Sequence, residues 1–584
     1  MLRPQQNENR ECLTLDGFWE FQMAQDNGRE LNLPRGLTEP RPIGVPGSWN
    51  EQYLDSYNHF SEGWYQKRFF VNRSWKGKRI FVQFQSVCQN ADVWLNGKHL
   101  GSHTGPHLPF EFEIGDHISF NGENILIVLA DGALKPDSLP PAQVKESDLR
   151  QGWSGSFPAV SYDFFPFSGI HRPVLLHAVE SDIHFDDIFV QATHDNGTAT
   201  VDCEIEFNRP VNGNIKLRID GMEFSSTVSN ESSINISCKF DAPRIWDIGQ
   251  GNLYNLEARL ETGGRIVDTY RLRFGVRNIE VRGNEFLLNG KPVHFKGFGK
   301  HEDFDVIGKG LCLPLIIKDF DLLKWIGANS FRTSHYPYAE EWLDIADELG
   351  VMVISENPFV GLGPRLYTPE VLDKALTVVD EHMKRDRNHP CVIMWSLANE
   401  PNAFDKDEEV HQGYMRFYEE LIKKAKTLDV SRPFTYAMHA DPKNNQMAHL
   451  FDVLCINKYY GWYCWPGMIE ESLDAMVNDL QSFYDVFKKP VIMAEFGADA
   501  VAGEHHLPEV MFSEEFQSKI VELQYKKLLE QPWFIGAHIW NFADFRVGQS
   551  LNRVIFNRKG VFTRSRQPKM VAHTLKRLWR KPEN

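Results

Sequence analysis

The spacing of apolar residues changes near residue 275 and divides the chain into two parts. Before that point, short runs alternate apolar and polar residues and are separated by turn residues, a pattern typical of strands with one buried face. Asn96-Gly97 between two runs predicts a tight hairpin, because both residues readily adopt positive φ. These runs predict two β-sandwiches, over residues 1–180 and 181–275. The runs are 79–87, 91–101, 124–131, 172–179, 199–207, 214–220, 253–261 and 270–275.

After residue 275, strand-like runs alternate with helical stretches such as 318–327, 339–350 and 567–580. The runs are continuously apolar, as in parallel strands buried on both faces. Eight of them predict a (β/α)8 barrel over residues 276–584. A doubly wound open sheet is the alternative, but no GxGxxG follows a strand. The eight runs are 293–299, 330–336, 351–356, 391–400, 434–439, 453–460, 490–497 and 534–542.

Composition excludes several classes of function. The net charge of −16 over 584 residues argues against nucleic-acid binding, which needs a basic surface. No run approaches the roughly 20 apolar residues of a membrane span, and the first residues lack the apolar segment of a signal peptide. The eight cysteines form no CxxC pair, so we expect reduced thiols and a cytoplasmic location. His301-Glu302 and His505-His506 lack metal-ligand spacing, so no metal or cofactor is expected.

Polar residues collect at the ends of the predicted barrel strands, where barrel enzymes carry their active sites. Glu400 and Glu495 end the fourth and seventh strands. A retaining glycosidase needs two carboxyl groups about 5–5.5 Å apart, one as proton donor and one as nucleophile. The alternative for each is a solvated acid or an ion-pair partner. The polar strand ends are Lys300, His301, Glu302, Asp303, His335, Tyr336, Glu356, Asn399, Glu400, Asn457, Tyr459, Glu495, Asn541 and Asp544.

Long motifs in both parts of the chain carry a family resemblance. They are LTLDGFWEF (13–21) and YDFFPFSGIHRPV (162–174) in the first part, and GFGKHED (297–303), RNHPCVIMWSLANEP (387–401), AEFGAD (494–499) and WNFADF (540–545) in the second. Over nearly its whole length the chain resembles the β-glucuronidases of glycoside hydrolase family two. The resemblance implies an N-terminal jelly-roll domain, an immunoglobulin-like domain and a TIM barrel.

The resemblance also implies roles for single residues. Glu400 in ANEP matches the general acid/base, and Glu495 in AEFG matches the nucleophile. Asn399 matches the amide that binds the sugar 2-hydroxyl, and Tyr459 the residue that orients the nucleophile. His335 and Trp540 match the lining of the sugar subsite, although packing is the alternative for Trp540.

Recognition of the sugar C6 carboxylate separates glucuronidases from relatives that act on neutral sugars. Asn557-Arg558-Lys559 matches the Asn-x-Lys element of glucuronidases, and an ammonium with an amide suits an anionic group. The alternative is an exposed basic loop, since several arginines lie nearby. The further implied members of this pocket are Asp163, Tyr463 and Arg553, and the nearby arginines are Arg553, Arg558, Arg564 and Arg566.

The aglycone side of the site is expected to be open. Only residues 365–386 separate VGLGP from RNHP, and most of them are predicted to form a helix over 369–386. Some relatives from gut bacteria carry a longer active-site loop here. The short segment therefore favours larger glycans or bulky conjugates over small drug glucuronides.

The sequence as a whole predicts a retaining exo-β-glucuronidase without metal or cofactor, and the resemblance implies a homotetramer. A β-galactosidase or β-galacturonidase of the same family is one alternative. A non-catalytic carbohydrate-binding protein is the other, but binding alone does not need a pair of glutamates.

Overall fold

The computed structural model describes residues 1–24, 36–142, 156–402 and 408–580. Its N-terminal domain is a jelly-roll sandwich of a four-stranded and a six-stranded antiparallel sheet. Alternate residues point into one core between the sheets, including Trp19, Trp49 and Tyr65. Its elements are β1 (Arg10–Thr14), β2 (Gly17–Met23), β3 (Arg41–Val45), α1 (Trp49–Gln52), β4 (Glu62–Phe69), β5 (Arg79–Phe84), β6 (Val87–Cys88), β7 (Asn90–Leu95), β8 (Lys98–Thr104), β9 (Phe110–Glu113), β10 (Asn124–Asp131), β11 (Ser156–Phe157), β12 (Gly169–Ile170) and β13 (Val174–Val179).

The predicted hairpin is confirmed. Strands β7 and β8 pair directly across Asn96 and Gly97, whose φ angles are 51° and 82°. Positive φ at both central residues is the geometry of a two-residue turn that matches the twist of the strands.

The second domain is an immunoglobulin-like sandwich with its own core. Runs 199–207 and 214–220, predicted as separate strands, belong to one long strand, and that detail of the prediction is wrong. The pairing of this strand shifts at a bulge between Glu206 and Val211; before the bulge it pairs with the strand over 185–195, and after it with the strand over 254–262. The strands are β14 (Phe185–Asp195), β15 (Thr198–Ile219), β16 (Met222–Asp241), β17 (Tyr254–Thr262) and β18 (Arg265–Phe274). A small sheet of β19 (Ile279–Arg282), β20 (Glu285–Leu288) and β21 (Lys291–Pro292) follows.

The third domain is a closed barrel of eight parallel strands, which confirms all eight predicted strands. Three predicted runs extend three or four residues past the strands: the second strand ends at Arg332, the sixth at Asn457 and the eighth at Ile539, and those boundaries were wrong. The barrel strands are β22 (Phe295–Gly299), β23 (Ser330–Arg332), β24 (Met352–Glu356), β25 (Val392–Asn399), β26 (Phe434–Met438), β27 (Leu454–Asn457), β28 (Val491–Glu495) and β29 (Phe534–Ile539).

The predicted helices surround this barrel. The helix expected over 369–386 has those bounds, and Thr368 caps it through a bond from Val371 N to its hydroxyl. Two other helices end at Gly327 and Gly350, whose φ angles of 88° and 66° favour glycine. The helices are α2 (Leu313–Ile326), α3 (Glu340–Leu349), α4 (Pro369–Asp386), α5 (Glu408–Leu428), α6 (Leu473–Phe487), α7 (Glu514–Leu528) and α8 (Met570–Trp579).

The jelly-roll domain docks onto the mouth of the barrel. Short strands follow β29, and one of them, β31 (Gln549–Ser550), pairs with β11 of the jelly roll. Nearby, the guanidinium of Arg546 lies 3.6 Å from the ring centroids of both Tyr57 and Phe165. The docking brings a jelly-roll loop beside the C-terminal ends of the barrel strands. The other strands after β29 are β30 (Phe545–Arg546) and β32 (Phe556–Asn557), which pair with each other.

Two further expectations concern the chain as a whole. All eight cysteines are free thiols. Across the described ranges, we find no helix with the length and apolar character required to span a bilayer.

A buried ion pair joins β1 to β18 and generates a stability prediction. Arg10 donates to Asp268 at 2.9 and 2.7 Å, and Asp268 is fully buried. Replacing Arg10 by alanine leaves this carboxylate without its counter-charge, so we expect unfolding to become easier by about 3 kcal/mol or more. Urea denaturation measures the change. Arg244→Ala, which removes an exposed pair with Asp220, is the control and should cost less than about 1 kcal/mol; equal effects would contradict the prediction.

Candidate active site

Strand β25 delivers the first glutamate to the mouth of the barrel. The strand is buried along its whole length and ends at Asn399. Glu400 then adopts a left-handed conformation with φ of 48°, which costs a non-glycine residue roughly 1–2 kcal/mol. Its N–H donates to Ala437 O at 2.8 Å, and Pro401 prevents the chain from continuing as a strand. The local backbone geometry therefore turns the partly exposed Glu400 away from the strand direction directly after Asn399.

The second glutamate ends β28 and faces the same space. Glu495 is 4% exposed and accepts a hydrogen bond at Oε2 from the Tyr459 hydroxyl at 2.7 Å. Asn457 is its partner in the register of β27 and β28. The same Asn457 donates from Nδ2 to Glu400 Oε1 at 2.8 Å. Both predicted glutamates therefore lie at one barrel mouth, with Asn457 reaching between their strands.

A buried arginine that the sequence reasoning missed binds Glu495 and a third acid, Glu356. Arg332, the last residue of β23, is fully buried and donates to both oxygens of Glu356, at 3.0 and 2.7 Å. Its other terminal nitrogen donates to Glu495 Oε1. The available signal was a charged residue inside the predicted strand SFRTSHY (330–336). Because the second strand was predicted to extend to residue 336, Arg332 lay within the predicted strand and was not counted among the polar residues at its end.

The same cation has different effects on its two partners. Burial raises the pKa of Glu495, the Arg332 and His335 charges oppose this shift, and Glu400 adds to it. Burial also works to raise the pKa of Glu356, but the Arg332 charge and the bond from His335 Nδ1, 2.8 Å long, outweigh it and lower that pKa. Glu356 is thus held as the permanent counter-ion, whereas Glu495 is the carboxylate closer to protonation.

Two aromatic rings form one wall beside Glu495. The His335 ring stacks on Trp540, with ring centroids 5.0 Å apart, and His335 Nε2 lies 3.9 Å from Glu495 Oε1. Trp540 is only 3% exposed and packs against Phe545, so packing accounts for much of its surface. His335 and Trp540 therefore lie together at the position predicted for the sugar subsite.

Asn399 lies between Asn457 and Arg332. Its Oδ1 accepts from Asn457 Nδ2 at 3.2 Å and from Arg332 at 3.4 Å. With Oδ1 used as an acceptor, the NH2 group is what Asn399 offers a ligand.

A basic pocket lies next to the carboxylates. The Lys559 ammonium donates to Asp499 Oδ2 at 2.5 Å and to the Tyr463 hydroxyl at 2.9 Å. It also lies 5.6 Å from the centroid of the Tyr459 ring. Lys559 is 1% exposed and Asn557 is fully buried, so the alternative of an exposed basic loop is wrong for them. Arg564 and Arg566 are also buried. Arg564 pairs with Asp303, and Arg566 pairs with Asp319.

Asp499 is the second residue that sequence reasoning missed. It lies in the AEFGAD motif but was given no role. Burial works to raise the pKa of Asp499, but the charges of Lys559 and Arg553 outweigh it and lower that pKa. Asp499 therefore stays ionised and holds the Lys559 ammonium in place.

The jelly-roll domain contributes Asp163 to this pocket. Its carboxylate accepts from Arg553 at 3.1 and 2.6 Å and from Asn557 Nδ2 at 2.6 Å. Tyr463 is half exposed, and the Arg553 guanidinium lies 5.9 Å from its ring centroid. All the predicted pocket residues thus meet, although one of the two amide hydrogens of Asn557 is already donated within the chain.

Other polar strand ends form ion pairs outside the site. Lys300 binds Asp319 at 2.7 Å, and Glu302 accepts from Arg172 at 3.1 Å. Asp544 accepts from Lys569 at 2.7 Å, and Asp303 binds Arg564. These contacts hold the loop after β22 against α2 and the jelly roll, and they join the loop after β29 to the start of α8.

One trio in the described part of the chain has His, Cys and Asp donor atoms within 4.8 Å of one another: Asp347, His389 and Cys391. His389 Nδ1 bonds to one oxygen of Asp347 at 2.6 Å, and Cys391 N donates to the other at 2.8 Å. Both carboxylate oxygens are therefore already used, at the opposite end of β25 from Glu400.

The arrangement suits acid–base and nucleophilic chemistry on a small anionic substrate. It combines two carboxyl groups at one mouth, a stacked aromatic wall and a buried ammonium. Tyr459 connects these parts, because its hydroxyl binds Glu495 while its ring faces Lys559.

Comparison with family models assigns all three domains. The model described as Glycosyl hydrolases family 2, TIM barrel domain, matches residues 279–584. The sugar binding domain of that family matches residues 13–180, and a further model, Glycosyl hydrolases family 2, matches residues 183–277.

Individual proteins match over nearly the full length. A β-glucuronidase of Paenibacillus borealis is 39% identical, with 99% of this chain and 98% of the relative covered. The structure of Bifidobacterium dentium β-glucuronidase complexed with coumarin-3-O-glucuronide superposes with a TM-score of 0.93 at 34% identity, covering 99% of this chain and 98% of that one. The Ruminococcus gnavus β-glucuronidase in complex with D-glucuronic acid gives 0.90 at 32% identity, covering 99% of both chains.

The Arg332–Glu356 pair generates a prediction about pH. Because the folded pKa of Glu356 is lowered, its stabilising contribution is complete above its unfolded pKa of about 4.3 and is lost as pH falls through the folded value. We expect Glu356→Gln to be less stable than the native chain by about 3 kcal/mol at pH 7, and by progressively less below about pH 4.

Urea unfolding at several pH values measures this difference. Glu348→Gln, which changes an exposed ion pair with Arg273, is the matched control. A deficit that stays constant from pH 7 to pH 3 would contradict the assignment of Glu356 as an ionised counter-ion.

Proposed function

The chain belongs to glycosyl hydrolases family 2, and from this membership we propose that it is a retaining exo-β-glucuronidase. The observation that carries the proposal is Tyr459, which contacts Glu495 through its hydroxyl and faces the Lys559 ammonium with its ring. A sugar at Glu495 then has its C6 group beside a buried cation. The matching β-glucuronidases of Paenibacillus borealis and Bifidobacterium dentium support a glucuronide substrate.

In the first step Glu495 attacks the anomeric carbon and Glu400 donates a proton to the glycosidic oxygen. The bond from the anomeric carbon to that oxygen breaks, the aglycone leaves as its alcohol, and a glycosyl ester forms on Glu495. The bonds from Arg332 and Tyr459 favour the ionised form of Glu495 before attack.

In the second step Glu400, now ionised, removes a proton from water. The water oxygen attacks the anomeric carbon, the ester to Glu495 breaks, and glucuronate leaves with its configuration retained. The bond from Asn457 keeps Glu400 directed at the same space in both steps. Asn399 donates to the 2-hydroxyl, a contact that strengthens in the transition state.

The C6 carboxylate binds Lys559 and the remaining amide hydrogen of Asn557. Asp499 and Tyr463 hold the ammonium, and Asp163 holds Asn557 and Arg553. A localised positive charge in a buried pocket favours an anionic sugar over a neutral one, because its attraction is not screened by water.

The aglycone side is proposed to be open and to accept bulky conjugates or larger glycans. In support, the short segment between Gly363 and Arg387 consists of a single 3-10 turn followed by α4. The free thiols support a reducing, cytoplasmic setting, and homotetramer formation is proposed from the family resemblance alone.

The substrate assignment is tested by the charge of Lys559. We expect Lys559→Ala to lower kcat/KM for an aryl β-glucuronide about 100-fold or more, and to change the much weaker turnover of an aryl β-galactoside far less. An aryl β-galacturonide, measured alongside, tests discrimination at C4.

Glu495→Ala serves as the blank for this assay and should lose all three activities. Preference for the galactoside would favour a β-galactosidase, and preference for the galacturonide a β-galacturonidase. Equal losses of activity on the glucuronide and the galactoside in Lys559→Ala would contradict the binding of the C6 carboxylate by Lys559. Binding without hydrolysis at any pH would indicate a carbohydrate-binding protein.

The Tyr459 hydroxyl generates a pH prediction. Glu495 must be ionised to attack, so kcat/KM falls at acid pH as this group becomes protonated. Its bond from Tyr459 lowers the pKa of Glu495, and Tyr459→Phe should therefore move the acidic limb of the profile upward by about one pH unit. Tyr460→Phe, which removes an exterior bond to Asp479, is the control; an unchanged limb in Tyr459→Phe would contradict the role.

A further inference from the structure

A cavity of about 280 Å³ lies between the immunoglobulin-like domain and the barrel, far from the glutamates. Arg277 and Arg432 at this cavity both donate to Val392 O, the first residue of β25, whose last residue is Asn399. The cavity therefore lies at the opposite end of the barrel from the candidate active site. Its charged lining residues, in the part of the chain that the structure describes, are Arg277, Arg387 and Arg432, with no carboxylate.

Arg277 has no acidic partner among the contacts of the described residues. It is 7% exposed and donates only to backbone carbonyls, Pro390 O at 2.6 Å and Val392 O at 2.9 Å. Burial, with the charge of Arg432, lowers the pKa of Arg277 to about 9. A guanidinium stays protonated at neutral pH, so this site holds a buried cation at a cost that a bound anion would offset.

The other two arginines each have one carboxylate, which lies outside the lining. Arg387 donates to Asp187 at 2.7 Å, and Arg432 to Asp429 at 2.5 Å. Asp347 also acts on Arg277, but it is paired with His389, whose pKa is raised to about 9. The Asp347–His389 pair is neutral at pH 7. The three arginines therefore have two carboxylates between them, and one positive charge is left uncompensated. This is notable in a chain whose net charge is −16.

Further groups around the cavity are suited to an anion. The Arg387 guanidinium lies 4.2 Å from the centroid of the Phe189 ring, and its buried Nε has no hydrogen-bond partner among the described residues. On β14, Val190 and Ala192 point into the core of the immunoglobulin-like domain. Gln191, between them, lies on the opposite face of the strand, and its amide is among the groups that line the cavity.

We propose that this interdomain arginine cavity binds a small oxyanion of the phosphate or sulfate class. Guanidinium groups recognise such anions by paired, charge-assisted hydrogen bonds. The volume lies just below the roughly 300 Å³ at which pockets for larger ligands begin, so the ligand is the anion itself or the anion with a short substituent. A bound anion ties β14 to the start of β25 and stabilises the contact between the domains.

Calorimetric titration with inorganic phosphate at constant ionic strength tests the site. The parent is Lys559→Ala, which removes the cation of the other candidate anion pocket. We expect saturable binding of one phosphate per chain. Gln191→Glu in the same background places a carboxylate in the cavity without removing a native ion pair, and should weaken binding at least tenfold. Arg282→Gln, at an exposed arginine outside the cavity, should bind as the parent does.

The melting temperature without phosphate keeps the result interpretable. Gln191→Glu supplies the missing counter-charge but lies opposite Asp202 in the pairing of β14 and β15, so it should melt close to the temperature of the parent and respond less to added phosphate. No saturable binding in the parent, or equal affinity in Gln191→Glu and the parent, would overturn the site. Binding of a short dicarboxylate but not of phosphate or sulfate would overturn the ligand class.

Discussion

The candidate active site depends on one buried guanidinium. Arg332 is fully buried and touches carboxylates from β24 and β28, so three barrel strands meet at its charge. Burying an ion costs several kcal/mol of folding free energy unless its partners are in place. Breaking such a pair leaves the remaining charge buried without a counter-ion. The two acids and the arginine therefore persist only as a group. This is why a barrel core can end in polar residues at one rim without losing stability.

The same constraint gives similar acids different properties. Glu356 receives two bonds from Arg332 and one from His335, and its pKa is lowered. Glu495 shares the cation but receives less compensation for its burial, and its pKa is raised. The pocket proposed for the sugar carboxylate repeats the pattern, since Asp499 is held ionised by Lys559. In both places a fixed counter-ion positions a second group to which the proposed mechanism gives a role in contact with substrate.

The domains are coupled through charges as well as through packing. Asp163 reaches the barrel from the jelly roll and holds Asn557 and Arg553. At the other end, Arg277 and Arg387 bring the immunoglobulin-like domain against the start of β25. Strand β25 thus runs from a cationic interdomain cavity to the strained Glu400. The barrel supplies the proposed chemistry, while its neighbours fix both of its ends.

The sequence by itself determined the parts that depend on local pattern. Apolar periodicity located all eight barrel strands, and the motifs around Glu400 and Glu495 singled out two acids that lie at one barrel mouth, because strand propensity and motif spacing are properties of neighbouring residues. It did not reveal Arg332 or the pairing of Asp499. Nor did it separate the strand-end acids at the site from Asp303 and Asp544, which bind Arg564 and Lys569 elsewhere. Only the tertiary structure decided those partners. The energy of a buried charge depends on which distant segment supplies its counter-ion, and closure of the barrel and docking of the jelly roll set those distances.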